Sequence, residues 1–97
     1  MKQIHYLASA KDDLRNGFYF YESQKSGLGT FFLDSIFSDI DSLQIFPNVH
    51  PIYYKNYHRL LSKRFPYAIY YKINSNQINV YAVVDCRRNP NWLRKRM

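Results

Sequence analysis

The residues of this chain best suited to do chemistry are its cations, and they cluster. Arg59, Lys63 and Arg64 lie close together, and Arg87 and Arg88 follow directly on the run Ala82-Val83-Val84-Asp85-Cys86. Arg94, Lys95 and Arg96 complete a tail in which the last eleven positions hold five of the chain's fourteen Lys and Arg residues. A guanidinium group is a planar fork that binds a phosphate or a carboxylate through two parallel hydrogen bonds. A strand that ends in such groups holds them rigidly towards an anionic partner. Arg59, Lys63, Arg64, Arg87 and Arg88 are therefore candidates for one basic face. Arg59 and Arg88 meet on it if their strands are close neighbours. The competing reading is that these are solvated strand ends, which keep sheet edges from pairing with other chains. For Lys63 and Arg64, beside a turn, that reading is preferred. Trp92 in the tail is expected to anchor it on the body of the domain, with base stacking as the alternative.

The other reactive types are sparse. His5, His50 and His58 have no metal-ligand spacing, and Cys86 has no second cysteine, so neither a metal nor a cofactor is expected. Cys86 reads as a small buried hydrophobe, with a Cys-His nucleophile pair as the alternative. Asp12 and Asp13 suit the start of a helix better than acid-base work. Gly27-Leu28-Gly29 follows no strand and is too short for a phosphate loop, so it reads as a turn between helices.

These side chains must be positioned by a small domain. Ninety-seven residues make one domain, 1–97, with a core large enough to fold unaided. The net charge of +7 favours nucleic acid, acidic protein segments or anionic membrane surfaces as partners, set against an ordinary basic surface. One cysteine permits no intrachain disulfide and fits a reducing compartment. No signal-peptide pattern is read in the opening Lys2-Gln3-Ile4-His5-Tyr6-Leu7, and no apolar run reaches the roughly 20 residues of a membrane span. A cytoplasmic protein without membrane contact is expected. Ten tyrosines and seven phenylalanines supply both core and surface.

Gln3 to Leu7 alternates weakly and predicts a strand. Ser9 to Asp12 resembles a capping box for a first helix carrying Leu14, Phe18 and Tyr21. A second helix is expected from near Thr30, with the stripe Leu33, Ile36, Phe37, Ile40 and Leu43, stopped by Pro47. From Tyr57 the period becomes two. Tyr67, Ile69, Tyr71 and Ile73 share a face, Asn74-Ser75-Asn76 turns, and Ile78, Val80, Ala82 and Val84 are expected to share a face of the last strand. The expected fold is α+β in two layers, a helical hairpin on a mainly antiparallel sheet. Its order is β-α-α-β-β-β with a C-terminal helical turn starting at Pro90.

Pro47, Tyr57-His58-Arg59-Leu60-Leu61, the block Phe65-Pro66-Tyr67-Ala68-Ile69-Tyr70-Tyr71-Lys72-Ile73 and the tail from Ala82 to Leu93 together resemble the RelE/ParE superfamily of toxins from bacterial type II toxin-antitoxin systems. The Phe-Pro-Tyr block with the Arg-Arg-Asn-Pro tail is closest to the ParE-like branch. The resemblance implies a toxin that inhibits DNA gyrase and a cognate antitoxin whose C-terminal segment wraps and neutralises it. The antitoxin is the usual DNA-binding component, so direct DNA binding by this chain alone is not expected. Surface residues implied for target or antitoxin are Arg59, Lys63, Arg64, Arg87, Arg88, Trp92 and Arg94.

The RelE-like branch instead cuts messenger RNA on the ribosome, with groups that activate the 2′-hydroxyl, hold the phosphate charge and protonate the leaving oxygen. Aligned on Tyr67 and Tyr71, Arg59 falls on the first catalytic lysine position and Arg88 on the closing arginine. Leu61, Ala68 and Arg94 fall on a lysine, an arginine and the tail tyrosine. A neutral Leu or Ala cannot stabilise an oxyanion, and an arginine with a pKa above about 12 is a poor proton donor. The alternative is a nuclease built on Arg59, Arg88, Tyr57 and His58, with Tyr53 and Tyr54 nearby. A third is a non-toxic interaction module. Asp85 stands where a histidine is common in close relatives and is placed to pair with Arg87 or Arg88.

Overall fold

A computed structural model of the chain describes residues 2–87 and 90–97, apart from the side chains of Pro90, Trp92 and Leu93. The elements are β1 (Gln3–Tyr6), α1 (Ala8–Gln24), α2 (Leu28–Asp41), β2 (Ile52–Tyr54), β3 (Tyr57–Leu61), β4 (Tyr67–Asn74), β5 (Gln77–Asp85) and α3 (Pro90–Arg96), with a 3-10 turn over Ser42–Gln44. The five strands form one sheet in the order β1-β5-β4-β3-β2. β1 runs parallel to β5, and the remaining pairs are antiparallel. The two-layer α+β architecture and the C-terminal helix agree with the sequence reading. β2 is an addition to it: three residues between Pro51 and Lys55, which has φ 51°, are too few to show a period.

The helical hairpin buries Leu14, Tyr21, Phe32, Ile36, Ile40 and Leu43 against one sheet face, on Leu60, Tyr67, Ile69, Tyr71, Ile78, Val80 and Val83. The opposite sheet face carries a second cluster, Tyr57, Ala68, Tyr70, Ala82 and Val84, against which Tyr53, Tyr54, Tyr81 and Met97 pack. Ile78 and Val80 therefore do not share a face with Ala82 and Val84, as strict alternation had required. Tyr70 pairs with Ala82 but Tyr71 pairs with Val80, so Tyr81 is an extra residue in β5. Such a bulge sets two residues against one and reverses the alternation beyond it.

Helix ends also differ from the expected capping box. α1 begins at Ala8, and its N-cap, Leu7, makes no side-chain cap. Ser9, already inside the first turn, donates its hydroxyl to the Tyr81 carbonyl at 2.8 Å, and Asp12 pairs with Arg15 at 2.9 Å. The helical stretch ends at Gln44, ahead of Pro47, whose carbonyl accepts the Tyr71 hydroxyl at 2.8 Å.

The start of α2 depends on a residue the sequence reading passed over. Glu22 accepts hydrogen bonds from the Gly27 amide at 3.0 Å and the Gly29 amide at 2.9 Å. Gly27 has φ 88°, and a Cβ on Gly29 would lie 2.7 Å from the Phe18 carbonyl oxygen. The two glycines allow the close turn, and Glu22 satisfies amides that have no partner inside the helix. Replacing Glu22 with Ala is expected to cost about 1–2 kcal/mol in urea denaturation. A change under about 0.3 kcal/mol would show that water serves these amides equally well.

Candidate functional site

Arg59 lies on β3 and faces the sheet side opposite the helical hairpin. Its guanidinium sits 4.2 Å from the Tyr53 ring centre. It also draws the Tyr70 phenol's pKa down, against a larger upward push from burial. Tyr53 and Tyr70 rings are 5.5 Å apart. Beside them Lys72 stands 4.4 Å above Tyr57, which meets Tyr81 edge-on at 5.0 Å. Tyr54 receives Lys55 at 5.2 Å and Arg94, from α3, at 5.7 Å. Arg59, Lys72, Lys55 and Arg94 form no ion pair with a carboxylate among the described residues. The strand pairing explains the gathering: Arg59 lies opposite Tyr70, which lies opposite Ala82. Aromatic rings hold the cations in place without neutralising them. Such a surface suits an anionic partner with either carboxylate or phosphate groups.

The other expected site residues are distributed unevenly around it. Tyr57 shares the open face with Arg59, but His58 points to the helical side. There its ring stacks on Tyr71 at 5.1 Å, and its Nδ1 lies 2.8 Å from the His50 carbonyl oxygen. The set Arg59, Tyr57 and His58 is thus split between the two faces of one sheet. Lys63 and Arg64 occupy the β3–β4 connection beside α2: the Lys63 amide donates to Asp39 at 3.3 Å, and Arg64 lies 5.8 Å from the Phe31 ring centre. They do not join the tyrosine face. Leu61 pairs with Ala68, which is 2% exposed, so the cross-strand pair next to Arg59 and Tyr70 is apolar.

Arg87 is engaged by Asp85, with Nε 2.9 Å and Nη2 2.5 Å from the two carboxylate oxygens. That pairing agrees with the role given to Asp85 in the sequence. Arg88 and the side chain of Trp92 lie outside the described residues. The β3 and β5 strands are separated by β4 rather than adjacent, roughly 10 Å apart at the usual strand spacing. Cys86 is an exposed free thiol and not the buried hydrophobe expected, because β5 ends at Asp85 and Cys86 begins the turn. Desolvation and then the Asp85 charge raise its pKa, more than Arg59 lowers it, which works against a thiolate nucleophile at neutral pH. No group of three or more His, Cys, Asp or Glu residues placed for a metal occurs among the described residues.

Asp13 has a larger part than helix initiation. Beyond β1, the outer edge of β5 is covered by α1 side chains. The Val83 amide donates to Asp13 Oδ2 at 2.9 Å, and Arg96 donates to both Asp13 oxygens at 2.8 and 2.7 Å. One carboxylate, 13% exposed, therefore ties α1, the edge just past the bulge and α3 together. Only the bulge brings Val83 round to it, so residue spacing gives no sign of the contact. On the outer side of the hairpin, Leu14, Phe18, Tyr19, Leu33 and Phe37 line an open apolar groove of about 370 Å³, with Lys11 and Arg15 on its rim.

No protein-family model and no curated sequence matches the chain. Its fold is similar to that of a solved chain described as the chromosomal ParDE TA system from P. aeruginosa. The TM-score is 0.77 at 17% identity, covering 88% of this chain and 96% of that one. The two-layer α+β architecture expected from the sequence is thus shared with that solved chain. Among the described residues, no helix is long and apolar enough to cross a membrane.

Proposed function

We propose that this chain is the toxin of a type II toxin-antitoxin system, ParE-like, acting in the cytoplasm on DNA gyrase and neutralised by a cognate antitoxin. The observation that carries the proposal is the fold similarity to the ParDE chain, which extends over nearly the whole of both proteins. The tyrosine face supports it independently. Arg59, Lys72 and Arg94 are held on rings and have no carboxylate partner among the described residues, as a surface that receives an acidic protein segment requires. The antitoxin would set acidic residues against Arg59, while Arg87 is already engaged by Asp85. An amphipathic helix of the same partner would fit the apolar groove of the hairpin.

The RNA-cutting alternative is favoured by one observation, the phosphate-like complementarity of Arg59 and its tyrosines. It is opposed by the Leu61–Ala68 pair and by His58 on the far side of the sheet. Induction of the chain in bacteria is expected to arrest growth, and co-expression of the protein encoded beside it to relieve the arrest. Primer extension on messenger RNA after induction should show no new cuts. Unimpaired growth without the neighbouring gene would contradict the toxin reading, and A-site cuts would transfer it to the ribosome.

A further inference from the structure

The segment from Ser42 to Tyr54 contains no Asp, Glu, Lys or Arg in a chain of net charge +7. Within it Ile45, Phe46, Val49 and Ile52 are 59–67% exposed, among the most exposed apolar side chains of the described residues. Ile52 belongs to β2, the outermost strand, where it pairs with His58. The Arg59 amide donates to the Pro51 carbonyl at 3.1 Å, so the backbone groups of Ile52 itself point away from β3, towards solvent. The segment therefore combines an open sheet edge with an apolar patch, and surfaces of that kind mark association. Pro51 and the irregular register between Ile52 and Tyr54 limit how far backbone pairing can run, so side chains dominate the contact.

Charge decides the occupant. Lys11 lies on α1 and Lys25 directly follows it, while Arg15 is paired with Asp12, and the open sheet face carries Arg59, Lys72 and Arg94. Two copies meeting through either surface would bring like charges together. An acidic partner would find no cation within 42–54 to hold it. His50 is kept below the ordinary imidazole pKa by burial and by His58, and so stays neutral at neutral pH. We propose that this apolar segment, which has no charged side chain of its own, is where two copies of the chain associate, about a two-fold axis that sets each patch against its equivalent. The inference stands apart from the choice of target.

Sedimentation equilibrium of the full chain, from micromolar to submillimolar concentration, is the test. A reversible dimer is expected, strengthened by added salt as residual repulsion between the two cationic bodies is screened. Phe46→Lys and Ile52→Lys should each raise the dimer dissociation constant at least about tenfold, roughly 1.4 kcal/mol. The milder Ile52→Thr should move it the same way by less. Both sites lie outside the core, and circular dichroism should show the fold retained. Tyr19→Lys, at a comparably exposed aromatic on α1, should leave the dimer unchanged. A monomer at every concentration would overturn the inference. So would a dimer indifferent to the Phe46 and Ile52 changes, or one that salt dissociates.

Discussion

Asp13→Ala is expected to destabilise the fold by about 2–3 kcal/mol, lowering Tm by roughly 10–20 °C. The substitution removes the acceptor of the Val83 amide and leaves the Arg96 guanidinium half-enclosed without its carboxylate. The pair is not fully dry, with side chains 13% and 22% exposed, so the figure is set below that for a completely buried ion pair. Arg96→Ala provides the comparison. It leaves the amide bond intact and should cost only about 1 kcal/mol. Equal losses from the two variants would mean that the ion pair, not the strand edge, holds the contact. A loss under about 0.5 kcal/mol for Asp13→Ala would mean that the β5 edge is adequately served by water. The effect reaches the candidate site because α3 carries Arg94 to Tyr54 and Met97 to the tyrosine cluster. Releasing Arg96 loosens both.

Charge reversal at Arg59 should have the largest functional effect. On the toxin reading, Arg59→Glu is expected to reduce gyrase inhibition by purified protein at least tenfold, roughly 1.4 kcal/mol. It should weaken antitoxin binding in isothermal titration by a similar or larger factor. Arg59→Lys should fall between. An ammonium retains the charge but cannot lie flat on Tyr53 or present a two-pronged donor. Near-ultraviolet circular dichroism checks that Tyr53 and Tyr70 keep their environment in the variants. Full activity of Arg59→Glu would remove the tyrosine face from the account of target and antitoxin binding.

The layers of the fold were legible because each long element repeats its signal. The stripe through Ile36, Ile40 and Leu43 fixed a helix, and Tyr67, Ile69 and Tyr71 fixed the face on which it rests. What escaped lies in single residues whose meaning depends on distant chain. Tyr81 looks like one more apolar strand position, and only the partner strand reveals it as a bulge. That bulge turns Val83 towards Asp13, a contact across 70 positions of sequence. Cys86 was misplaced for a related reason: the apolar run before it conceals where β5 ends. His58 was grouped with Arg59 by nearness in sequence, although neighbouring strand residues point to opposite faces. β2 is a strand because β3 offers it an edge, not because of its own three residues.

The reading of this chain as a ParE-like toxin is tested most directly by DNA supercoiling. Purified chain, added to gyrase with relaxed plasmid and ATP, should block supercoiling or accumulate cleaved DNA complexes at micromolar concentration, and prior mixing with the neighbouring gene's product should restore the reaction. Unchanged supercoiling under those conditions, from a preparation that arrests growth in cells, would contradict gyrase as the target.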